Sequence, residues 1–285
     1  MTDFGGALRK NGDYDFALIG VPFDGKSSYL KGTAKAPLVI REASTSLAIN
    51  AWTETGINLE EETVFVDLGD IDASGNYSKI SPRIEEKVFE VCRRGAVPVI
   101  LGGDHSISFP AVRGAAKIFP HLDILHFDAH PDLYNELYGD PYSHACPFSR
   151  IMEEKLAENL IQVGVRAVVD EHRRNASRFK VKMIEMKELG NLPALSFSNP
   201  LYISFDIDVL DPAFAPGVSH HEPGGLTTRE AIQLIHSLQA EIVAIDLVEV
   251  NPSRDHSGIT AAAAVKIIME IMGKALLGKR KKYRK

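Results

Sequence analysis

Short apolar segments recur along the chain, and most of them end at a glycine, an aspartate or a proline. Most also lack an alternation of apolar and polar positions, which is typical of parallel strands covered on both faces. Eight such segments predict eight strands: Phe16–Val21, Thr63–Leu68, Val97–Leu101, Leu122–Phe127, Leu160–Val165, Val181–Ile184, Leu201–Phe205 and Ile242–Val250.

Stretches with helical character separate several of these strands. A helix start is indicated by Thr227 or Thr228 with Glu230, and Gly278 suits a helix end. Strands that alternate with helices predict an α/β fold, with a mainly parallel sheet of about eight strands and helices on both faces. Six helices are predicted: Pro37–Ile49, Pro82–Arg94, Ser106–Phe119, Phe148–Asn159, Thr228–Ala240 and Ile259–Leu277.

The distribution of charge divides the chain into an acidic body and a short basic end. The sequence of 285 residues has 32 Lys and Arg and 38 Asp and Glu, and six of the basic residues lie in residues 279–285. Without these six charges the formal net charge of −6 becomes −12. An acidic body argues against a nucleic-acid partner, which would require a basic face. We expect one domain over residues 1–285, with residues 279–285 as a solvated, frayed tail.

Composition also indicates the compartment. The two cysteines, Cys92 and Cys146, are too few for a disulfide framework or a zinc site built from thiolates. No apolar run approaches the roughly 20 residues of a membrane span, and the N-terminus lacks the pattern of a signal peptide. We therefore expect a cytoplasmic protein without a membrane partner.

Clusters of polar residues follow three of the predicted strands directly. They are Gly102-Gly103-Asp104-His105, Asp128-Ala129-His130-Pro131-Asp132 and Asp206-Ile207-Asp208. Chemistry collects at the carboxyl ends of strands in open parallel sheets. Alternate residues of an extended segment project to one side, so the acidic and histidine side chains of each cluster could converge.

The converging side chains have the chemistry of a metal site. Carboxylates with some imidazole suit a hard or borderline divalent ion such as Mn²⁺, and four crowded carboxylates would repel one another without cations. A single Asp-x-His could be a cap or a surface ion pair, but three clusters in succession favour metal. Four negative charges match two divalent ions, which predicts a binuclear site. Its candidate ligands are His105, Asp128, His130, Asp132, Asp206 and Asp208.

These three segments resemble the signatures of the ureohydrolases, the family of arginases and agmatinases. The resemblance extends from Gly20-Val21-Pro22-Phe23-Asp24 to Glu249-Val250-Asn251-Pro252. It implies a three-layer αβα fold, two Mn²⁺ ions (with Ni²⁺ or Co²⁺ as alternatives) and a homo-oligomer, either a trimer or a hexamer. Carried onto this chain, the resemblance gives one ion the ligands His105, Asp128, Asp132 and Asp206, and the other Asp128, His130, Asp206 and Asp208.

The resemblance also implies a reaction. A hydroxide between the ions would attack the guanidinium carbon of a small cationic substrate, releasing urea and an amine. Asp132 would orient this hydroxide, Glu249 would bind the guanidinium nitrogens, and His144 would protonate the leaving amine. Asp246 is expected to support the site from behind.

The choice of substrate depends on a loop and on two short motifs. Animal-type arginases carry a Ser-Gly-Asn-type stretch that holds the α-carboxylate, and residues 139–143 here are Gly-Asp-Pro-Tyr-Ser. This difference favours an agmatinase, which converts agmatine to putrescine and urea. However, Tyr142–Ala145 and Pro216–His220 look more like plant-type arginases, so an arginase is the second hypothesis. A guanidinobutyrase or a guanidinase is a further alternative.

Two hypotheses from other classes remain. One is a deacetylase of related fold, which would use a single zinc ion. The other is a catalytically inactive interaction subunit, which the complete set of ligands disfavours. The sequence assigns no role to Cys146, to His220 and His221, or to the basic tail.

Overall fold

The computed structural model describes residues 3–7, 13–46, 48–191 and 195–283, and within them eight strands form one sheet. The strand order is β2-β1-β3-β8-β7-β4-β5-β6, and every neighbouring pair is parallel. The predicted parallel sheet is confirmed. Its strands are β1 Phe16–Gly20, β2 Phe65–Asp70, β3 Val97–Leu101, β4 Asp123–Phe127, β5 Asn159–Val165, β6 Lys182–Glu185, β7 Ser196–Asp206 and β8 Gln239–Val248.

Helices cover both faces of the sheet, which confirms the three-layer fold. On one face, α1, α2 and α7 each contact α8, and on the other α3, α4, α5 and α6 form a second layer. Their bounds are α1 Ala36–Ser44, α2 Leu59–Glu62, α3 Tyr77–Arg93, α4 Ser108–Ala116, α5 Pro147–Glu153, α6 Asp170–Phe179, α7 Thr228–Ser237 and α8 Ile259–Tyr283.

The burial of β1 explains why the strands read as continuous apolar runs. Phe16 and Leu18 belong to one apolar core, and Ala17 and Ile19 belong to the other. Successive side chains of a strand point to opposite faces. Because helices cover both faces, no position of β1 can be polar without being buried.

Several predicted helix boundaries were wrong. Helix α3 begins at Tyr77 rather than Pro82, so this proline is the sixth residue of the helix and lies inside it. Helix α5 ends at Glu153, and Lys155, with φ of 55°, turns the chain towards β5. The prediction missed α2 and α6. Only three residues of α6 are buried, and two of them, His172 and Asn175, are polar, so the helix has few apolar residues that could indicate it.

The expected frayed tail was wrong for most of its length. Helix α8 continues through Gly278 to Tyr283, so this glycine does not end the helix. Lys279 is half-buried, and its Nζ lies 5.8 Å from the centre of the Phe16 ring. Residues 284 and 285 lie outside the described residues.

The sheet topology brings the polar clusters together. The four strands β3, β8, β7 and β4 are adjacent in the middle of the sheet. Because they are parallel, their carboxyl ends lie along one edge. The segments that follow these four strands therefore meet above the centre of that edge.

Candidate active site

His105 lies at the centre of a group of three carboxylates. Its Nδ1 is 3.2 Å from Asp128 Oδ2, 3.1 Å from Asp132 Oδ2 and 3.1 Å from Asp206 Oδ2. Asp128 and Asp132 follow β4, and Asp206 is the last residue of β7. The structure therefore brings together four of the predicted ligands at hydrogen-bond range.

His130 lies in a second group that shares Asp128 with the first. Its Nδ1 is 3.0 Å from Asp208 Oδ2 and 3.4 Å from Asp128 Oδ1. Asp128 thus turns one carboxylate oxygen towards each histidine. Asp128, His130 and Asp208 lie close enough to hold a metal ion.

The tautomer of His105 shows that these residues fit a cation. The hydroxyl of Ser204 donates to Asp246 Oδ1 at 2.7 Å, so its oxygen accepts from His105 Nε2 at 3.0 Å. The lone pair on Nδ1 therefore faces three acceptor oxygens, and this buried atom has no hydrogen-bond partner among the described residues. Such a set of acceptors is stable when it surrounds a cation. Asp246 lies behind His105 and is connected to it through the Ser204 hydroxyl.

The charges of the buried carboxylates also indicate that the site fits cations. Burial and the negative charges of Asp208 and Asp128 raise the pKa of Asp206 well above its ordinary value. Burial and the charge of Asp128 also raise the pKa of Asp208. Buried carboxylates that repel one another regain their ionised forms when divalent cations bind between them.

Backbone turns place the paired ligands of each motif. Asp128 Oδ1 accepts from the His130 N–H at 2.6 Å, and Asp206 Oδ1 accepts from the Asp208 N–H at 2.8 Å. The expectation of an extended segment was therefore wrong, since each aspartate caps the turn that carries its partner. Asp132 has a φ of 50°, which is rare outside glycine and turns its side chain back towards His105.

Glu249 lies beside the ligand cluster, directly after β8, with a φ of 63°. Its Oε1 accepts from the backbone N–H of His105 at 3.0 Å and lies 2.8 Å from His144 Nδ1. Its Oε2 is buried and has no hydrogen-bond partner within the described part of the chain. Glu249 therefore offers one carboxylate oxygen to a ligand in the pocket.

His144 is held at both ring nitrogens. Its Nε2 lies 2.8 Å from Ser28 Oγ, on the side of the ring opposite to Glu249. Burial disfavours the charged ring, but the Glu249 carboxylate outweighs this effect and raises the pKa of His144 to about 9. The Ser28 hydroxyl can accept from the charged ring or donate to the neutral one, whereas the Ser28 backbone N–H, 3.2 Å from Nε2, donates only to the lone pair of the neutral ring.

A cavity of about 430 Å³ opens over these groups. The half-exposed His220 lines its mouth, and the exposed ring of Tyr29 packs against His220, with the ring centres 5.5 Å apart. The Glu222 carboxylate is 3.9 Å from His130 Nε2, with 41% of its side chain exposed. Residues lining the cavity include Ser28, His130, Asp132, His144, Asp206, Asp208, His220, Glu222 and Glu249.

The structure shows the surroundings of two residues to which the sequence assigned no role, His221 and Cys146. His221 Nε2 lies 2.8 Å from the carbonyl oxygen of Pro216. Cys146 is fully buried, and its thiol donates to the Asp140 carbonyl at 3.8 Å. Burial raises the pKa of this thiol to about 12, so it is a weak nucleophile.

Sequence reasoning missed several polar residues around the site. His126 and Gln162 lie within strands β4 and β5, where they interrupt otherwise apolar runs, and that interruption was the available signal. Ser28, Arg166 and Glu222 lie in loops, where polar residues are common. Their positions could not be found without the fold.

The model of the arginase family matches residues 14–273. The chain belongs to this family. The mitochondrial arginase of Medicago truncatula is 43% identical over 274 residues, which cover 90% of this chain and 81% of the relative. The agmatinase of Bacillus subtilis strain 168 is 36% identical, over 90% of this chain and 91% of the relative. A solved structure of the Medicago truncatula arginase matches with a TM-score of 0.88 and 41% identity, covering 93% of this chain and 89% of that one.

The arginase-family match confirms the resemblance read from the sequence and the fold that it implied. The family is known for a binuclear metal site, and this chain has acidic and histidine groups that could hold metal. The described residues contain no helix that is long and apolar enough to cross a membrane.

Proposed function

We propose that this arginase-family chain hydrolyses the guanidino group of a small cationic substrate at a binuclear manganese site, releasing urea and an amine. The observation that carries the proposal is the His105 ring. Its lone pair and three carboxylate oxygens surround one point in a buried site. A second group around His130 shares Asp128 with the first.

The proposed ligands fall into two overlapping sets. His105, Asp128, Asp132 and Asp206 would hold one ion, and Asp128, His130, Asp206 and Asp208 would hold the other. Oxygen ligands with two imidazoles suit Mn²⁺, and Ni²⁺ or Co²⁺ are alternatives. The two ions, when bound, would acidify a water molecule so that it can attack carbon near neutral pH.

The remaining groups bind the substrate and move protons. The free Oε2 of Glu249 is the group available for the guanidinium, since a carboxylate is its matching planar acceptor. Asp132 borders the cavity and would orient the attacking water. His144, protonated below about pH 9, would give its proton to the leaving amine.

Agmatine is the substrate that the pocket favours. It carries a cation at each end, and Glu249 and Glu222 are carboxylates at the inner and outer parts of the cavity. Arg166 also lines the cavity, but its guanidinium donates to backbone carbonyls, which include those of Glu222 and Asp208. It is therefore not available to a substrate carboxylate. The loop residue Asp140 is itself acidic and pairs with Lys26 at 2.5 Å.

Arginine is the second candidate, and the relatives favour it. The Medicago truncatula arginase is more similar to this chain than the Bacillus subtilis agmatinase is, at 43% against 36% identity. A guanidino acid hydrolase from Homo sapiens is also 36% identical, so a guanidinobutyrase or guanidinase remains a further hypothesis.

The experiment is a comparison of kcat/KM for agmatine, arginine, guanidinobutyrate and guanidine, with urea as the product measured. We expect agmatine to give the highest value. A higher value for arginine would overturn the choice of substrate while leaving the hydrolase in place. Absence of urea from all four compounds would support the inactive interaction subunit instead.

Three features of the chain remain predictions. They are one domain over residues 1–285, a homo-oligomer such as a trimer or hexamer, and a cytoplasmic location. The relatives include proteins named as mitochondrial, so the location requires a direct measurement in cells.

A further inference from the structure

A row of buried polar residues crosses the sheet directly beneath the candidate metal site. Asp246, Ser204, His126 and Gln162 lie opposite one another on the adjacent strands β8, β7, β4 and β5. All four are fully buried. Ser204 and Asp246 orient His105, as described above. The other half of the row leads to a different ligand, Asp128.

The orientation of the Gln162 amide is fixed by a backbone carbonyl. Its Nε2 lies 2.6 Å from the Pro131 carbonyl oxygen, which can only accept a hydrogen bond. The nitrogen rather than the oxygen of the amide must therefore face Pro131. The same nitrogen lies 3.0 Å from His126 Nδ1. Its second hydrogen is thus donated to the imidazole, and Nδ1 acts as an acceptor.

This orientation determines the tautomer of His126. Because Nδ1 accepts, the neutral ring carries its hydrogen on Nε2, which lies 2.8 Å from Asp128 Oδ2. The ring also stacks on Phe148, with centres 3.9 Å apart and planes at 28°. His126 therefore donates to Asp128 from a ring whose rotation is restricted.

The same contacts argue against His126 as a metal ligand. His105, His126 and Asp128 lie close enough together to hold an ion. However, a ligand nitrogen must present a lone pair, and both ring nitrogens of His126 already form hydrogen bonds. His105 differs, because its Nδ1 has no hydrogen-bond partner among the described residues.

We infer that Gln162 and His126 are positioning residues, which hold Asp128 in the orientation that lets its two oxygens serve both metal ions. Asp128 faces His105 with Oδ2 and His130 with Oδ1. Rotation of its carboxylate would remove an oxygen from one ion or from both. This inference rests on the proposed metal site, to which it adds the second layer of residues.

The test is a titration of metal-free protein with Mn²⁺ by calorimetry, which does not depend on catalysis. His126→Leu removes the donor, and we expect it to weaken Mn²⁺ binding 10- to 100-fold, in line with other residues behind metal ligands. His126→Gln keeps an N–H group that can reach Asp128, and we expect affinity within about threefold of the wild type. Gln162→Met leaves the His126 tautomer unfixed, and we expect a loss of about tenfold.

His236→Leu is the matched control. His236 also pairs with a buried carboxylate, Glu270, at 2.7 Å, but it lies on α7 outside the site. We expect this variant to bind Mn²⁺ as the wild type does. Thermal melting of each metal-free variant separates a folding defect from weaker binding, and Gln162→Met tests the inference even if His126→Leu does not fold.

The outcomes are distinguishable. Equal Mn²⁺ affinity in the wild type, His126→Leu and Gln162→Met would overturn the inference and leave the metal site intact. Equal losses in His126→Gln and His126→Leu would overturn the role of the donated hydrogen bond. A wild type that binds no Mn²⁺, Ni²⁺ or Co²⁺ would overturn the proposed metal site itself, and with it this inference.

Discussion

The floor and the mouth of the cavity are built in different ways. On the floor, the candidate ligands follow adjacent strands, and buried partners such as Ser204 and His126 orient them. At the mouth, Tyr29, His220 and Glu222 lie on loops and keep part of their surface exposed. The floor is buried, and hydrogen bonds hold most of its polar groups apart from atoms such as His105 Nδ1 that face the candidate ions, whereas the mouth has few such constraints.

This difference separates two properties of the enzyme. Rigid, buried groups fix the reaction, because small displacements of reacting groups are costly. Exposed loop residues can change without disturbing the sheet, so they are suited to select the substrate. We therefore expect changes in the floor to abolish activity towards every substrate, and changes in the mouth to alter the ranking of substrates.

The largest effect is expected for Asp128→Asn in the floor. The amide removes the charge shared by the two ligand groups, so we expect kcat to fall by a factor of a thousand or more, about 4 kcal/mol of barrier. Metal content should fall below two ions per chain. Urea release and elemental analysis measure these two effects. Asp123→Asn, at the start of the same strand, is the control and should keep both ions.

The second largest effect is expected for Glu249→Gln. Glu249 lies between the floor and the mouth. Loss of a buried charged partner costs about 2–5 kcal/mol, so kcat/KM should fall by a few hundredfold for every guanidino substrate. Glu270→Gln is a matched control, because Glu270 is also a buried glutamate that pairs with a histidine. An equal loss of activity in both variants would show that burial alone, and not substrate binding, explains the effect.

His144→Asn should lower kcat by about a hundredfold, which is the lower end of the range for the loss of a general acid. The pKa of His144 is raised to about 9, so its charged form is present below that pH and lost as pH rises through it. We therefore expect the wild-type pH–kcat profile to decline above about pH 9. His144→Asn should lack this decline, and an unchanged decline would assign it to another group.

The smallest effect is expected for Glu222→Gln at the mouth. An ion pair with an exposed carboxylate contributes about 0.2–1 kcal/mol, so KM for agmatine should rise by about 1.4- to fivefold with kcat unchanged. The kinetics for guanidine, which has no second cation, should not change. Equal changes for agmatine and guanidine would contradict a contact with the distal ammonium.

The floor could be predicted from the sequence because its candidate ligands lie close together in short contiguous motifs. Asp128, His130 and Asp132 follow one strand, and their residue types already indicate a metal. The strands could be predicted for a similar reason, since both of their faces are apolar. Neither prediction needed contacts between distant segments.

The mouth and, apart from Asp246, the supporting row were not predicted, because their roles depend on such contacts. Ser28 meets His144 across 116 positions of sequence, and His126 meets Gln162 only through the pairing of β4 with β5. Helix α6 was missed for a different reason, since two of its three buried residues, His172 and Asn175, are polar. A helix with so few apolar residues does not show the apolar pattern from which helices are predicted.

The central claim is that the two ligand groups hold two metal ions that serve guanidino hydrolysis. The most direct test measures urea release from agmatine as metal-free protein is titrated with Mn²⁺. The claim predicts that activity is absent without metal and saturates at two ions bound per chain. Saturation at one ion, or binding of two ions without urea from agmatine, arginine, guanidinobutyrate or guanidine, would contradict it.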